Sequence, residues 1–273
     1  MKVWLNGALA DEGEACVAPS DHGFLVGDGV FETLRWYGGE PFALGEHLRR
    51  LEEGCRTLGI AVPAAAELDA GARAVVEGNG LADARMRITV TSGAGPPGPA
   101  RGDGPPTVLI VALPLTPWPA TATAIISRLR RDEHSPLAGV KTISLADSVL
   151  ALAEARAAGA TEALILNTAG DLCEATTANV FVVRDGVAST PPVRAGCLAG
   201  ITREHVLKLG AEERALSRRD VEEAQEMFLT SSTREVQPLV EVDGRPVGDG
   251  APGPVTARLA EAYVGLVREA LKR

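Results

Sequence analysis

Gly170-Asp171-Leu172-Cys173-Glu174-Ala175-Thr176-Thr177-Ala178-Asn179-Val180-Phe181-Val182-Val183 is the stretch on which the reading of the fold turns. The apolar run 163–166 precedes it and the run 180–183 ends it, so Glu174 falls in a tight loop between two strand signals. Small and hydroxyl residues crowd this carboxylate. It could hold a protonated ring nitrogen, or it could simply stabilise the turn. Arg184-Asp185-Gly186 then closes a hairpin. Upstream, residues 145–158 read as a helix stopped by Gly159.

Just before that helix stands Lys141, in Gly139-Val140-Lys141-Thr142-Ile143-Ser144-Leu145. Apolar neighbours on both sides desolvate an ammonium and lower its pKa, which suits a lysine to imine formation. An ordinary surface lysine snorkelling to water fits the same pattern. Downstream, Gly200-Ile201-Thr202 opens a predicted helix over 203–209, whose unpaired N–H groups make either an anion site or a plain N-cap. Thr230-Ser231-Ser232-Thr233 follows an apolar strand end and offers hydroxyls and amides, as many turns do.

The N-terminal part predicts strands over 2–5, 30–36, 85–91 and 107–113, and a helix near 68–77. Leu44, Leu48, Leu51, Cys55 and Leu58 recur at spacings of three and four, which makes one apolar helix face. His47, Arg50 and Gly54 line its flank. In the strand over 30–36, the period of two puts Phe31, Thr33 and Arg35 on one face and Glu32, Leu34 and Trp36 on the other. The first set suggests either a carboxylate-binding wall or a structural salt bridge. Residues 93–106 form a long Gly/Pro-rich loop, of a length that is usually functional or disordered. Three prolines within 113–119 can continue neither a helix nor a central strand, so a linker over 114–119 divides a lobe 1–113 from a lobe 120–273.

Composition narrows the classes. The charge of 27 − 36 = −9 argues against a nucleic-acid partner, and the 45% hydrophobic and 23% charged content argues for a globular chain. The first residues reach Asn6-Gly7 without a long apolar run, so no signal peptide or membrane span is expected and the location is read as cytoplasmic. Cys16, Cys55, Cys173 and Cys197 are far apart, which suggests buried thiols and neither a metal site nor a disulfide framework.

In order and spacing, these stretches together resemble one family over almost the whole chain: the fold-type IV, or class IV, pyridoxal 5'-phosphate (PLP) enzymes. These comprise branched-chain aminotransferases, D-amino acid aminotransferases and aminodeoxychorismate lyases. Asp21-His22-Gly23-Phe24-Leu25-Val26-Gly27-Asp28-Gly29-Val30-Phe31-Glu32-Thr33 looks like the family's opening motif, and Glu46-His47-Leu48-Arg49-Arg50-Leu51 resembles the helix carrying its phosphate-binding arginine. The resemblance implies a two-lobed α/β (α+β) fold, with a small N-terminal α/β lobe and a larger C-terminal PLP-binding lobe, and a homodimer. It makes Lys141 the Schiff-base lysine, Glu174 the partner of the pyridine nitrogen and Asn179 a contact of the phenolic oxygen. Arg50, Ile201, Thr202 and Ser232 fall at its phosphate contacts.

For substrate, the subfamily marks are mixed. Leu145, four residues after the lysine, resembles D-amino acid aminotransferases, where branched-chain enzymes have a tyrosine. The tyrosine usual in D-type members at Phe31, and the arginine and histidine of their loop, are absent. Phe31-Glu32-Thr33 looks like the lyases, whose loop arginine and tyrosine are also absent. Phe31, Thr33, Arg35, Arg101, Thr233 and Arg234 remain as substrate-site candidates, with the three arginines as partners for a carboxylate. The expectation is transfer between a D-amino acid or small amine and a 2-oxo acid, with aminodeoxychorismate lyase as the alternative and a branched-chain L-amino acid aminotransferase ranked below both. A non-catalytic PLP carrier is a reading from another class.

Overall fold

A computed structural model describes residues 1–272. They divide into two compact units, one of Met1–Thr116 with Val140–Ser144, the other of Pro117–Gly139 with Leu145 onward.

The first unit runs β1 (Lys2–Leu5), β2 (Ala8–Asp11), α1 (His22–Val26), β3 (Gly29–Tyr37), β4 (Glu40–Pro41), α2 (Leu44–Leu58), α3 (Ala65–Gly78), β5 (Ala84–Thr91) and β6 (Thr107–Pro114). Its strands form one antiparallel sheet in the order β2-β1-β6-β5-β3-β4. Asn6 and Gly7 both take positive φ, the turn chemistry that joins β1 to β2. Alternation along β3 and β5 sends Val30, Leu34, Trp36, Met86 and Ile88 to one face, where they meet Leu51, Cys55, Leu68 and Val75 of α2 and α3 in a single core. Each such side chain, fully buried, contributes about 1.5–3 kcal/mol. Gly59 stops α2 in the left-handed conformation.

The second unit runs β7 (Ala122–Arg131), α4 (Ala146–Ala157), β8 (Glu162–Asn167), β9 (Leu172–Ala175), β10 (Asn179–Arg184), β11 (Val187–Thr190), α5 (Ile201–Lys208), β12 (Glu212–Glu213), α6 (Arg218–Glu222), β13 (Glu226–Ser231), β14 (Glu235–Val242), β15 (Arg245–Pro246) and α7 (Pro254–Ala270). Its sheet has the order β12-β11-β10-β13-β14-β7-β8-β9, with β15 beside β14. The strand β8, buried along its whole length, pairs in parallel with β7, and α4 packs on both through Ala151 and Ala155. Pro254 opens α7, and the Glu226 carboxylate accepts the N–H groups of Val255 and Thr256 there.

Several features depart from the sequence expectations. The ten-residue strand β7, the strands β14 and β2 and the short helices α1 and α6 are additional, and Glu174, expected in a tight loop, lies instead on β9, where backbone pairing sets it against Ile165 of β8. Residues 93–106 form a loop, as expected, and its path is defined: Asp21 bridges to Ala94, and His22 Nε2 lies 2.9 Å from the carbonyl oxygen of Pro96. The segment Val140–Ser144, expected within the C-terminal lobe, belongs instead to the first unit. The reason is backbone pairing: Phe31 N donates to Lys141 O and Ile143 N donates to Gly29 O, each at 3.0 Å. Of the cysteines, Cys55, Cys173 and Cys197 are buried and Cys16 is exposed. No helix among the described residues is long and apolar enough to cross a membrane, and no group of metal-ligating side chains occurs among them.

Candidate active site

In the first unit, the sheet face opposite the core gathers candidate substrate residues. Antiparallel register sets Phe31 against Thr89, Thr33 against Arg87 and Arg35 against Arg85. Opposed residues share a face, so Phe31, Thr33 and Arg35 stand together as the alternation predicts, joined by Arg85 and Arg87. Lys141 Nζ lies 4.4 Å from the centre of the Phe31 ring, and the Arg87 guanidinium carbon lies 3.7 Å from the same centre. Arg87 donates to Thr89 Oγ1 at 3.1 Å. Burial and the neighbouring Arg85 cation pull its guanidinium below the ordinary arginine value. A half-buried cation resting on an aromatic face beside a lysine is suited to receive a carboxylate. Sequence reasoning missed Arg87. Its only signal was alternation with Arg85 and Thr89, which any half-exposed strand shows.

On the opposite face of β3, Arg50 of α2 donates to Glu32 through Nε at 2.7 Å and Nη2 at 2.8 Å. His47 Nδ1 lies 2.7 Å from the same carboxylate. Burial alone would raise the Glu32 carboxyl, but the Arg50 charge and the hydrogen bonds from His47 and Arg50 outweigh it and hold it down to about 2.

In the second unit, Glu174 and Asn179 grip one short segment from two sides. Glu174 Oε2 accepts Leu198 N at 3.0 Å, and Asn179 Nδ2 donates to Leu198 O at 2.8 Å. Arg131 Nη2 stands 3.4 Å from Glu174 Oε1. The gripped segment runs into Gly200, where an added Cβ would fall 1.9 Å from Asn179 Oδ1, so any side chain there would displace the Asn179 amide. Directly after it, α5 begins at Ile201 and Thr202 with no side-chain cap, leaving its first N–H groups to an outside acceptor. Thr202 Oγ1 lies 3.3 Å from the Tyr263 hydroxyl. Thr230 faces Asn179 across β10 and β13, and its buried hydroxyl has no partner among the described residues. Ser232 and Thr233 follow at the end of that strand. Glu174, Asn179, Ile201, Thr202 and Ser232 are thus carried by adjoining elements of one unit. Uncapped amides and hydroxyls suit a phosphate, and a carboxylate suits a protonated ring nitrogen, so the donor set fits the PLP expected from the sequence.

The two remaining arginine candidates are engaged elsewhere. Arg101 forms a bidentate pair with Asp28 at 2.6 and 2.7 Å and also donates to Gly59 O. Arg234 is buried against Glu162 at 2.6 Å, Thr177 at 2.8 Å and Gln237 at 2.9 Å, and stacks on Trp118 at 3.9 Å. Its pair with Glu162 and that of Arg101 with Asp28 each join residues more than 70 positions apart in sequence, which no local pattern reveals.

Comparison with known proteins identifies the family. Residues 29–242 match the family described as amino-transferase class IV. A Methanocaldococcus jannaschii protein named as a putative branched-chain-amino-acid aminotransferase is 38% identical, over 96% of this chain and 95% of its own. The D-alanine aminotransferase of Bacillus licheniformis is 34% identical over 96% and 95%. The T.th. branched-chain amino acid aminotransferase, solved with pyridoxamine 5'-phosphate, superimposes with a TM-score of 0.89 at 32% identity, covering 97% of this chain and 93% of that one. The chain belongs to the class IV aminotransferases and is a PLP-dependent transaminase of the fold-type IV architecture.

Proposed function

We propose that this transaminase moves an amino group between an aliphatic α-amino acid and a 2-oxo acid, with Lys141 as the cofactor-bonding lysine and Arg87 as the partner of the substrate carboxylate. The observation that carries the reading is the Phe31 ring, which has both the Lys141 ammonium and the Arg87 guanidinium within 4.4 Å of its centre. Beside Arg87 in the β5–β6 register stands Val111, with Leu109 opposite Thr89, so apolar surface adjoins the cation. An aliphatic side chain suits that surface.

When bound, PLP supplies the electron sink for the α-carbon's negative charge. The protein's groups do the rest. Lys141 Nζ moves the proton taken from the substrate α-carbon, for which it must be neutral at that moment. The Phe31 ring and the backbone bond from Phe31 N to Lys141 O fix where that amine starts from. Glu174 holds a proton on the pyridine nitrogen by a charge-assisted hydrogen bond, and Asn179 supports the phenolic-oxygen side. Arg50, the N-terminal amides of α5 at Ile201 and Thr202, and Ser232 take the phosphate. Thr33, Arg35 and Thr233 border the substrate, while Arg101 and Arg234 keep their structural partners.

Two hands of the donor each have support. The higher identity to the branched-chain relative favours an L-amino acid and raises that reading above its place in the sequence analysis. Leu145 and the D-alanine relative favour a D-amino acid. Mixing the PLP form separately with L-leucine, D-alanine and aminodeoxychorismate, with no 2-oxo acid present, separates them. One of the amino acids is expected to convert the absorbance to that of the pyridoxamine form, and pyruvate or 2-oxoglutarate to restore it. Formation of p-aminobenzoate with the PLP spectrum unchanged, and no response to either amino acid, would establish the lyase instead. Arg87→Gln should lower kcat/KM for the responding amino acid by about 10- to 100-fold, the loss of one charge-assisted contact. Turnover of an amine without a carboxylate should be unaffected, and an equal loss for both would remove Arg87 from this role.

We also propose a homodimer as the working form, on the implication of the family resemblance and the apolar residues exposed on α1, Phe24, Leu25 and Val26. Light scattering at micromolar concentration is expected to report twice the chain mass. A monomeric mass would count against it.

A further inference from the structure

The Glu32 carboxylate has no place in the steps above, yet it is wholly buried and carries three short polar contacts. It stands on β3, one residue after Phe31. Two of its partners, His47 and Arg50, are three residues apart on α2 and therefore share a helix face. The planar guanidinium meets it edge-on through Nε and Nη2, which fixes both the distance and the plane of the arginine. A lysine at position 50 would bring the charge without the plane. Phe31, meanwhile, donates its N–H to Lys141 O. Two successive residues of one strand thus hold the lysine segment on one side and the arginine on the other.

We infer that Glu32 is a positioning residue for the cofactor: it fixes Arg50 for the phosphate while Phe31 of the same strand fixes Lys141, so that β3 sets the span between the two. This rests on the roles proposed above for Arg50 and Lys141. It goes beyond them in giving Glu32, which touches neither substrate nor cofactor, a part in cofactor affinity. The carboxylate stays ionised throughout the neutral range, so its hold on Arg50 does not lapse there.

The test uses the full chain stripped of cofactor, titrated with PLP and, separately, with pyridoxal, which lacks the phosphate. Glu32→Gln keeps the shape and removes the charge. Its Kd for PLP should rise about tenfold or more, the scale of a lost charge-assisted contact, while its Kd for pyridoxal stays at the wild-type value. Equal weakening of both ligands would mean a merely structural role and would overturn the inference, as would an unchanged Kd for PLP. If Glu32→Gln does not melt cooperatively, Arg50→Lys decides: selective weakening of PLP supports orientation by Glu32, and wild-type affinity refutes it. Arg50→Gln separates the two layers. If it weakens PLP and pyridoxal alike, Arg50 is not the phosphate ligand and the underlying reading fails. If it weakens PLP alone while Glu32→Gln does not, only the positioning role fails.

Discussion

Lys141→Ala will bind PLP through its remaining contacts and lose turnover by about 10³- to 10⁴-fold, because the group proposed to bond the cofactor and move the α-proton is gone. The proposed phosphate ligands and Glu174 lie on other elements, so cofactor retention, read from absorbance after gel filtration, should survive. Borohydride reduction of the wild-type protein should fix the cofactor to the peptide that contains Lys141 and leave the variant unlabelled. The chain has only three other lysines, Lys2, Lys208 and Lys272, which makes the readout decisive. Lys2 pairs with Asp11 at the edge of the first sheet. An adduct on any of the three would overturn the assignment.

Glu174→Gln is the second large effect. Glutamine can still accept the Leu198 N–H, so the segment leading into α5 keeps its anchor and the melting temperature should stay near wild type. What disappears is the negative charge proposed to face a protonated ring nitrogen. Turnover should fall about 10²- to 10³-fold at saturating PLP, the scale seen when one preorganised electrostatic group is removed from an active site. Arg131, 3.4 Å from Glu174, would then sit beside a neutral amide, which further disfavours a proton on the ring. If turnover held while the protein melted several degrees earlier, Glu174 would be an anchor of the loop and nothing more.

What the sequence disclosed follows from how local each signal is. The apolar face of α2 and the alternation of β3 are short-range patterns and appear where they were read, whereas Glu174, read in a loop, lies on the short strand β9, because its pairing with Ile165 of β8 is not a local pattern. The strand β7 escaped because its second half, Ser127-Arg128-Leu129-Arg130-Arg131, is polar and follows a run of prolines. The helix α1 has five residues, too few to show a period. Arg87 gains its meaning only from the register that sets β5 against β3. Arg234 and Arg101 looked like carboxylate ligands because the acids that claim them, Glu162 and Asp28, are remote in sequence. The His47–Glu32–Arg50 cluster lay half in view: the helix spacing was legible, but not that a strand residue would be buried beneath it.

The return of Val140–Ser144 to the first unit has a consequence for synthesis. Chain emerging from a ribosome can form the sheet β1 to β6 once Pro114 is out, but Gly29 and Phe31 lack their backbone partners until Ile143 and Lys141 follow. The intervening residues, Pro117–Gly139, belong to a unit whose other strands have not yet been made. Neither unit corresponds to one uninterrupted stretch of the gene. A cut at residue 116 would yield a sheet with an unpaired edge where the lysine segment should lie, an invitation to pair with another chain. In a chain cut there, the proposed cofactor lysine and the cover of that strand edge would be lost together.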